Sequence, residues 1–357
     1  MKTIGIAIVG CGGITLQNHL PGLALCPDVK VTALCDADAG TLARARQQTG
    51  VTVTSTDYRD IICRDDVQAV IIATPNSTHA PIALMAIAAG KHVLCEKPLG
   101  MNAAEVRAMA EAADKAGVRH LTAFTYRFVP AMRYLHHLVQ RGDLGTPYHY
   151  RSCRLQDWGT RNVGWRQQKS LAGTGEIGDM LSHRIDFAHH LVGPMKRLVA
   201  NLMTLTPVRG GQPNDTDDWA AILAEFKNGA SGMLESSKLA SGVNESWRSP
   251  DRVEINGSEA SFSFTTSTWN ELLYGKVGGP GLNVLPVPRE FWTVPGSPRD
   301  PTVGDPLITF RYDQAWEFID AIRNQRACSP SFHDGLRMQE VTDAALKSAA
   351  TGQWVNL

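Results

Sequence analysis

The sequence predicts an α/β protein whose first third is a doubly wound parallel sheet and whose remainder carries a mainly antiparallel sheet with helices over one face. Three observations predict this. Residues 4–9 form an unbroken apolar run ending in Gly10-Cys-Gly-Gly, the strand and turn of a nucleotide-binding sheet. Strand and helix patterns then alternate at short spacing as far as residue 124. From Pro147 the rhythm changes to runs of strands joined by Gly, Pro, Asn and Asp turns, with few crossover helices.

Ile4-Gly-Ile-Ala-Ile-Val9 is apolar without alternation, as a central parallel strand covered on both faces requires. Residues 16–25 can wind as a helix, kinked near Pro21. Gly10 permits the tight turn, and Gly12 lets the backbone approach a pyrophosphate. The free N–H groups and positive dipole end of the helix then favour that anion. The third fingerprint position is Thr15, where Gly or Ala is usual. A second strand over residues 29–35 is followed by Asp36, at the distance from the glycine loop where a ribose-binding carboxylate falls. Such a carboxylate accepts two hydrogen bonds from an adenosine ribose and repels a 2′-phosphate. Ala37 offers a phosphate nothing, so NAD is expected over NADP. Asp38 adjoins the helix predicted over residues 39–48 and is the better cap, which leaves Asp36 for the ribose.

A third strand over residues 67–73 runs into Thr74-Pro-Asn-Ser-Thr-His79 and a helix over 80–89. Residues 91–95 and 118–124 supply two more strands, separated by a helix over 103–116. Ligands of such sheets sit beyond the carboxyl ends of the strands, where Thr74, Pro75, Asn76, Glu96 and Lys97 fall. A lysine at such a strand end can reach both a bound cofactor and whatever the second region holds.

Composition bounds the function classes. The 357 residues suffice for two domains with proper cores. Lys+Arg and Asp+Glu balance at 35 each, so no field draws nucleic acid or anionic lipid. No apolar run is long enough to span a bilayer, and Met1-Lys-Thr leads straight into a strand, which argues against a signal peptide. Seven scattered cysteines without a C-x-x-C argue against a disulfide framework or structural zinc and for a reducing cytoplasm.

In the second region, residues 148–155, 197–206, 219–226 and 230–239 read as strands, and 252–256 with 260–264 as a hairpin around Gly257-Ser258. The segment 178–191 has helical spacing instead. Asp179, His183 and Asp186 recur at intervals of four and three, which puts them on one face, too polar for core packing. The preceding glycines let that helix start approach a ligand closely. A zinc site from His183, Asp186 and His190 lacks a further ligand, so no metal is expected. Asp217, Asp218, Lys238, Asn244 and Trp247 suit turns and strand ends as well as a pocket, His19 suits packing or capping, and His189 and His190 suit structural roles. Residues 283–306, dense in Pro and Gly, read as a lid or intersubunit arm, and helices over 314–324 and 335–350 close the chain.

Taken together in order and spacing, Gly10-Cys-Gly-Gly, Ala73-Thr-Pro-Asn-Ser-Thr-His79, Glu96-Lys-Pro98, Tyr126-Arg-Phe-Val-Pro130 and Trp165-Arg166 form a recognisable series. The run Gly173-Thr-Gly-Glu-Ile-Gly-Asp-Met-Leu-Ser-His-Arg-Ile-Asp186 and Asp334-Gly-Leu-Arg337 continue it. Over nearly the whole chain the series resembles the glucose–fructose oxidoreductase / inositol dehydrogenase (Gfo/Idh/MocA) family. The resemblance implies an NAD-binding Rossmann domain over residues 1–124. It implies a substrate-binding and oligomerisation domain over 125–357, with a large, open, mostly antiparallel sheet that supports a homo-oligomer, dimer or tetramer. The implied activity is NAD-dependent hydride transfer between nicotinamide and a secondary hydroxyl or keto carbon of a sugar, polyol or glycoside. Lys97, Asp179 and His183 map onto the catalytic set. Gly10, Gly12, Gly13, Ile14, Asp36, Thr74, Pro75, Asn76, His79, Glu96, Lys97, Arg127, Trp165 and Arg166 map onto cofactor-binding positions. An NAD-retaining lyase or glycosidase, or a non-catalytic NAD-binding sensor, are the alternatives. Thr15 and the insertion after Tyr274 depart from the family pattern and leave the substrate open.

Overall fold

The computed structural model describes residues 3–244 and 251–357; Trp247, one of the weaker pocket candidates, lies outside the described residues. The chain divides into two compact units. The first gathers the chain as far as Thr125 together with Val294–Gly304 and Arg311–Leu336, and the second holds Tyr126–Thr293, Asp305–Phe310 and Arg337–Leu357. Both later segments of the first unit fall where the sequence expectation of one cut near residue 124 placed the second domain.

The first unit is built on β1 (Ile4–Val9), β2 (Val29–Cys35), β3 (Thr54–Ser55), β4 (Ala69–Ile72), β5 (His92–Cys95) and β6 (His120–Thr122). They pair in the order β3-β2-β1-β4-β5-β6, and every pairing is parallel. The order reverses between β1 and β4, so the glycine loop and the loop after β4 flank a topological switch point, the crevice where such sheets bind ligands. β1 and β4 are buried along their whole length, which is why their sequences are apolar without alternation. One face packs Val9, Val70, Ile72 and Val93 against Ala83, Met109 and Phe332. The other packs Ile6, Ile8, Leu34 and Ile71 with Leu23, Phe318 and Ile319. The helix Asp313–Arg323 and the start of Phe332–Thr351 therefore complete the N-terminal core. Their apolar faces were legible in the sequence, but an amphipathic stripe does not name the surface it covers.

The second unit is built on β7 (Pro147–Leu155), β8 (Met195–Met203), β11 (Trp219–Phe226), β12 (Ser231–Ser237), β13 (Asp251–Gly257), β14 (Ala260–Thr265), β15 (Glu271–Lys276), β16 (Asn283–Pro286) and β17 (Val355–Asn356). A small hairpin of β9 (Val208–Arg209) and β10 (Gln212–Pro213) lies apart from the large sheet. The order is β16-β15-β14-β13-β7-β12-β11-β8-β17. The β7–β12 pair is parallel; the other neighbours are antiparallel. The strands alternate as one-sided burial demands: Ala220, Ile222, Ala224 and Phe226 are buried while Leu223 between them is 50% exposed. The helix Ser182–Leu191 packs on β7 and β12, and Tyr150 Oη donates to the Arg184 carbonyl at 3.3 Å.

Residues 283–306, expected as a lid or arm, are held at both ends. Their start is β16, paired with β15. Further on, Arg299 is bound to Asp313 at 2.8 Å and the Ser297 hydroxyl donates to the same carboxylate at 2.6 Å, both within the first unit. Among the described residues, no helix is long and apolar enough to cross a membrane.

Candidate active site

The glycine loop follows β1 directly. Gly10 has φ +94°, and a Cβ there would lie 2.4 Å from the Ala73 carbonyl oxygen, so only glycine fits. At Gly12 and Gly13 a Cβ would meet nothing within 4 Å, which leaves the backbone open to a close-approaching pyrophosphate. Thr15, the departure from the fingerprint, is fully buried and its hydroxyl donates to the Gly10 carbonyl at 2.6 Å. Ile14 lies between this anchor and the open glycines, immediately before the helical turn Thr15–His19. At the end of β2, Asp36 Oδ2 accepts the Cys11 N–H at 2.8 Å and Oδ1 accepts the Asp38 N–H at 2.9 Å. Asp38, not Asp36, caps the helix Ala39–Thr49 by accepting the Thr41 N–H at 2.7 Å. An anchored, half-buried carboxylate at this strand end suits a ribose diol and opposes a 2′-phosphate. The residues present fit NAD.

Past β4, Thr74 Oγ1 accepts the Thr78 hydroxyl at 2.8 Å, and the Pro75 carbonyl accepts the Thr78 N–H. Buried Asn76 starts the turn Asn76–Thr78. Past β5, Glu96 Oε1 meets His19 Nε2 at 2.8 Å. Burial works to raise the Glu96 pKa, but the His19 hydrogen bond and the neighbouring charges leave it below the ordinary glutamate value. His79 is fully buried, with Nδ1 2.8 Å from the Pro98 carbonyl and Nε2 2.9 Å from the Thr74 carbonyl. A neutral ring can donate to only one of these acceptors, and burial holds the His79 pKa below its ordinary value. Both ring nitrogens are thus turned to the backbone. His79, carried over with the cofactor residues, braces the loops after β4 and β5, and with His19–Glu96 it brackets the Lys97 backbone.

In the second unit the segment expected as one helix starts as a π-helical turn, Ile177–Leu181, and continues as Ser182–Leu191. Asp217 shapes its start: Oδ1 accepts the Gly175 N–H at 2.6 Å and Oδ2 accepts the Ile177 N–H at 2.8 Å. The expectation that its polar face is unfit for packing is overturned, since His183, Arg184 and Asp186 are buried and the Arg184 and Asp186 charges are paired. Arg127 forks onto Asp186, with Nε at 2.8 Å from Oδ2. Arg184 binds Asp251 at 2.8 Å. The His183 ring lies 4.5 Å from that of Tyr126. Asp179 keeps 18% of its side chain exposed, and its Oδ2 is 3.6 Å from Lys238 Nζ. Lys238 also lies 3.4 Å from buried Glu176. Trp165 and Arg166 belong to the short turn Gly164–Gln167, with the guanidinium 4.5 Å above the indole.

Sequence reasoning passed over Glu176 and placed Lys238 among the weaker candidates. The available signal was a glutamate inside a glycine-rich run and a lysine closing a strand of small residues. Lys97 lies in the first unit, and Asp179 and His183 in the second.

Asp114, His120 and His333 gather their ligand atoms within 4.8 Å. The Phe332 N–H donates to His120 Nδ1 at 3.0 Å, so in the neutral ring Nε2 carries the hydrogen it gives to Asp114 at 3.3 Å. That tautomer makes a hydrogen-bonded clip, not a ligand set.

A parallel sheet with this glycine loop and an anchored carboxylate after its second strand, followed by a large mixed sheet, is the architecture of an NAD-dependent oxidoreductase. Residues 4–124 match the model of the oxidoreductase family with an NAD-binding Rossmann fold, and residues 132–263 match the Gfo/Idh/MocA C-terminal domain. The levoglucosan dehydrogenase of Pseudarthrobacter phenanthrenivorans is 32% identical, the alignment covering 100% of this chain and 99% of the relative. The D-apiose dehydrogenase of Paraburkholderia graminis is 26% identical over 98% of this chain and 89% of its own. A solved levoglucosan dehydrogenase in complex with NADH and levoglucosan has a TM-score of 0.91 at 31% identity, covering 99% of each chain. The chain belongs to the Gfo/Idh/MocA family.

Proposed function

We propose that this protein oxidises a secondary hydroxyl of a sugar, polyol or glycoside with NAD, and that Lys97, Asp179 and His183 carry the reaction. The observation that carries the proposal is the NAD-type loop closed by Asp36 in a chain that also places Asp179 and His183 along one helical run. The substrates named for several relatives, levoglucosan, D-apiose and inositol, are uncharged polyhydroxy compounds, and that of another, glucose-6-phosphate, is a phosphorylated sugar. Bound NAD supplies the hydride acceptor. His183 takes the hydroxyl proton, a task suited to an imidazole whose ordinary pKa is about 6.5. Lys97 donates to the reacting oxygen and stabilises the negative charge developing there. Asp179 orients the substrate by accepting from a neighbouring hydroxyl, and its counter-cation within its own unit is Lys238. Arg127 contributes through the buried Asp186, which it holds on the face of the same helix. Gly10, Gly12, Gly13, Ile14, Thr74, Pro75, Asn76 and Glu96 shape the dinucleotide side, and Trp165 and Arg166 the rim.

The test is release of NADH by the purified protein across levoglucosan, common monosaccharides, inositols and simple glycosides. We expect steady NADH production with at least one neutral sugar or polyol. Inactivity across the panel refutes the dehydrogenase; substrate turnover without net NADH transfers the chain to the lyase or glycosidase alternative.

We further infer a homo-oligomer, dimer or tetramer, assembled through the large sheet. The strand register aligns Val199, Leu223, Met233, Arg151 and Glu254 in one row across it, and half-exposed Leu223 lies within that row. The seven cysteines are free thiols, which suits a reducing cytoplasm.

A further inference from the structure

Behind Asp179 lies a cluster that the reaction as described does not use. Lys238 follows β12 with 3% of its side chain exposed; its ammonium is 3.4 Å from Glu176 Oε2 and 3.6 Å from Asp179 Oδ2. The Trp158 ring centroid lies 5.3 Å from the same nitrogen, a cation–π contact. Asp217, the third carboxylate near the ammonium, is already engaged by the Gly175 and Ile177 N–H groups. Glu176 is fully buried, and its Oε1 is hydrogen-bonded to the Ser236 hydroxyl. That hydroxyl also reaches the Arg154 carbonyl at 3.0 Å.

The hydrogens can be counted. A serine hydroxyl has one, and a carbonyl can only accept. Ser236 can give that hydrogen to an ionised Glu176, its nearer partner, or to the Arg154 carbonyl; in the second case the bond to Glu176 needs a proton on the glutamate. Burial first, with the nearby Asp179 and Asp217 carboxylates adding to it, pushes the Glu176 pKa up to about 7 against the pull of Lys238. When Glu176 is protonated, with Asp217 already occupied by backbone donors, Asp179 is the ionic partner of the buried ammonium among the described residues. Of the directly paired trio, Asp179 has the most exposed side chain at 18%, against 3% for Lys238 and 0% for Glu176. An ammonium this deeply buried is costly without a dedicated partner.

We propose that Lys238 is a positioning residue that fixes the orientation and charge of the Asp179 carboxylate for sugar binding, and that Glu176 governs this grip by holding or releasing its own proton. When Glu176 ionises, it competes for the ammonium and the hold on Asp179 loosens. The proposal rests on the assignment of Asp179 to substrate binding.

The experiment is steady-state kinetics of Lys238→Met, Lys238→Arg, Glu176→Gln and Asp179→Asn, with sugar and NAD varied separately across neutral pH. Lys238→Met should raise the sugar KM about tenfold or more, as loss of a charged hydrogen-bonding partner does, while the NAD KM stays near wild type. Lys238→Arg should recover part of that loss. Wild type should lose sugar affinity as pH rises through neutrality, and Glu176→Gln, fixed in the neutral form, should not. A wild-type sugar KM in Lys238→Met overturns the proposal, as does an equal rise in both KM values. If Lys238→Met does not fold, a Glu176→Gln pH profile identical to wild type overturns it. Wild-type kinetics in Asp179→Asn instead removes the site assignment beneath it.

Discussion

Asp36 and Asp38 divide two tasks that one carboxylate cannot perform together. Asp38 spends its side chain on the Thr41 N–H, whereas Asp36 is held by two backbone donors at the end of its strand. Asp36→Ala should therefore weaken NAD binding and narrow the preference for NAD over NADP, read as the ratio of kcat/KM for the two cofactors. A preference unchanged by the substitution removes Asp36 from cofactor choice. His183 can be tested alone in the same way. His183→Ala should lower kcat by about two to four decades, the usual scale for acid–base catalysis, with NAD affinity measured by titration close to wild type. The cap at Asp38 was legible in the sequence because a cap is a local contact. Thr15 was not, because its bond to the Gly10 carbonyl exists only once the loop has closed.

The π-helical turn Ile177–Leu181 is the element on which the second unit's candidate residues depend. A Cβ at Gly175 would lie 1.9 Å from the Asp217 carbonyl oxygen, so the chain there can approach Asp217 only as glycine. Gly175→Ala must displace backbone, with an expected cost of about 1–3 kcal/mol in the unfolding free energy from denaturant titration. A rise in sugar KM should accompany it, as Asp179 moves with the turn. Unchanged stability would mean that the contact with Asp217 relaxes freely. Helical spacing in the sequence placed Asp179, His183 and Asp186 along one run. It read that face as too polar for core packing because the partners that neutralise its charges, Arg127 for Asp186 and Lys238 for Asp179, lie far away in sequence.

Across the molecule, the row that contains Leu223 on the large sheet is where the proposed assembly can be tested. Leu223→Asp should shift the protein toward monomer in light scattering while leaving the fold intact, since half of the Leu223 surface is exposed in the single chain. An unchanged oligomer would place the interface elsewhere. By itself the sequence determined the class of both sheets, the glycine loop and the carboxylate that follows the second strand. Each is written in periodicity or in a few neighbouring residues, and each obeys local sterics and hydrogen bonding. Only the tertiary structure decided that Asp313–Arg323 completes the N-terminal core, that both ring nitrogens of His79 face backbone carbonyls, and that Lys238 and Glu176 stand behind Asp179. Burial and ion pairing depend on which distant segments meet, and no spacing along the chain encodes that partner.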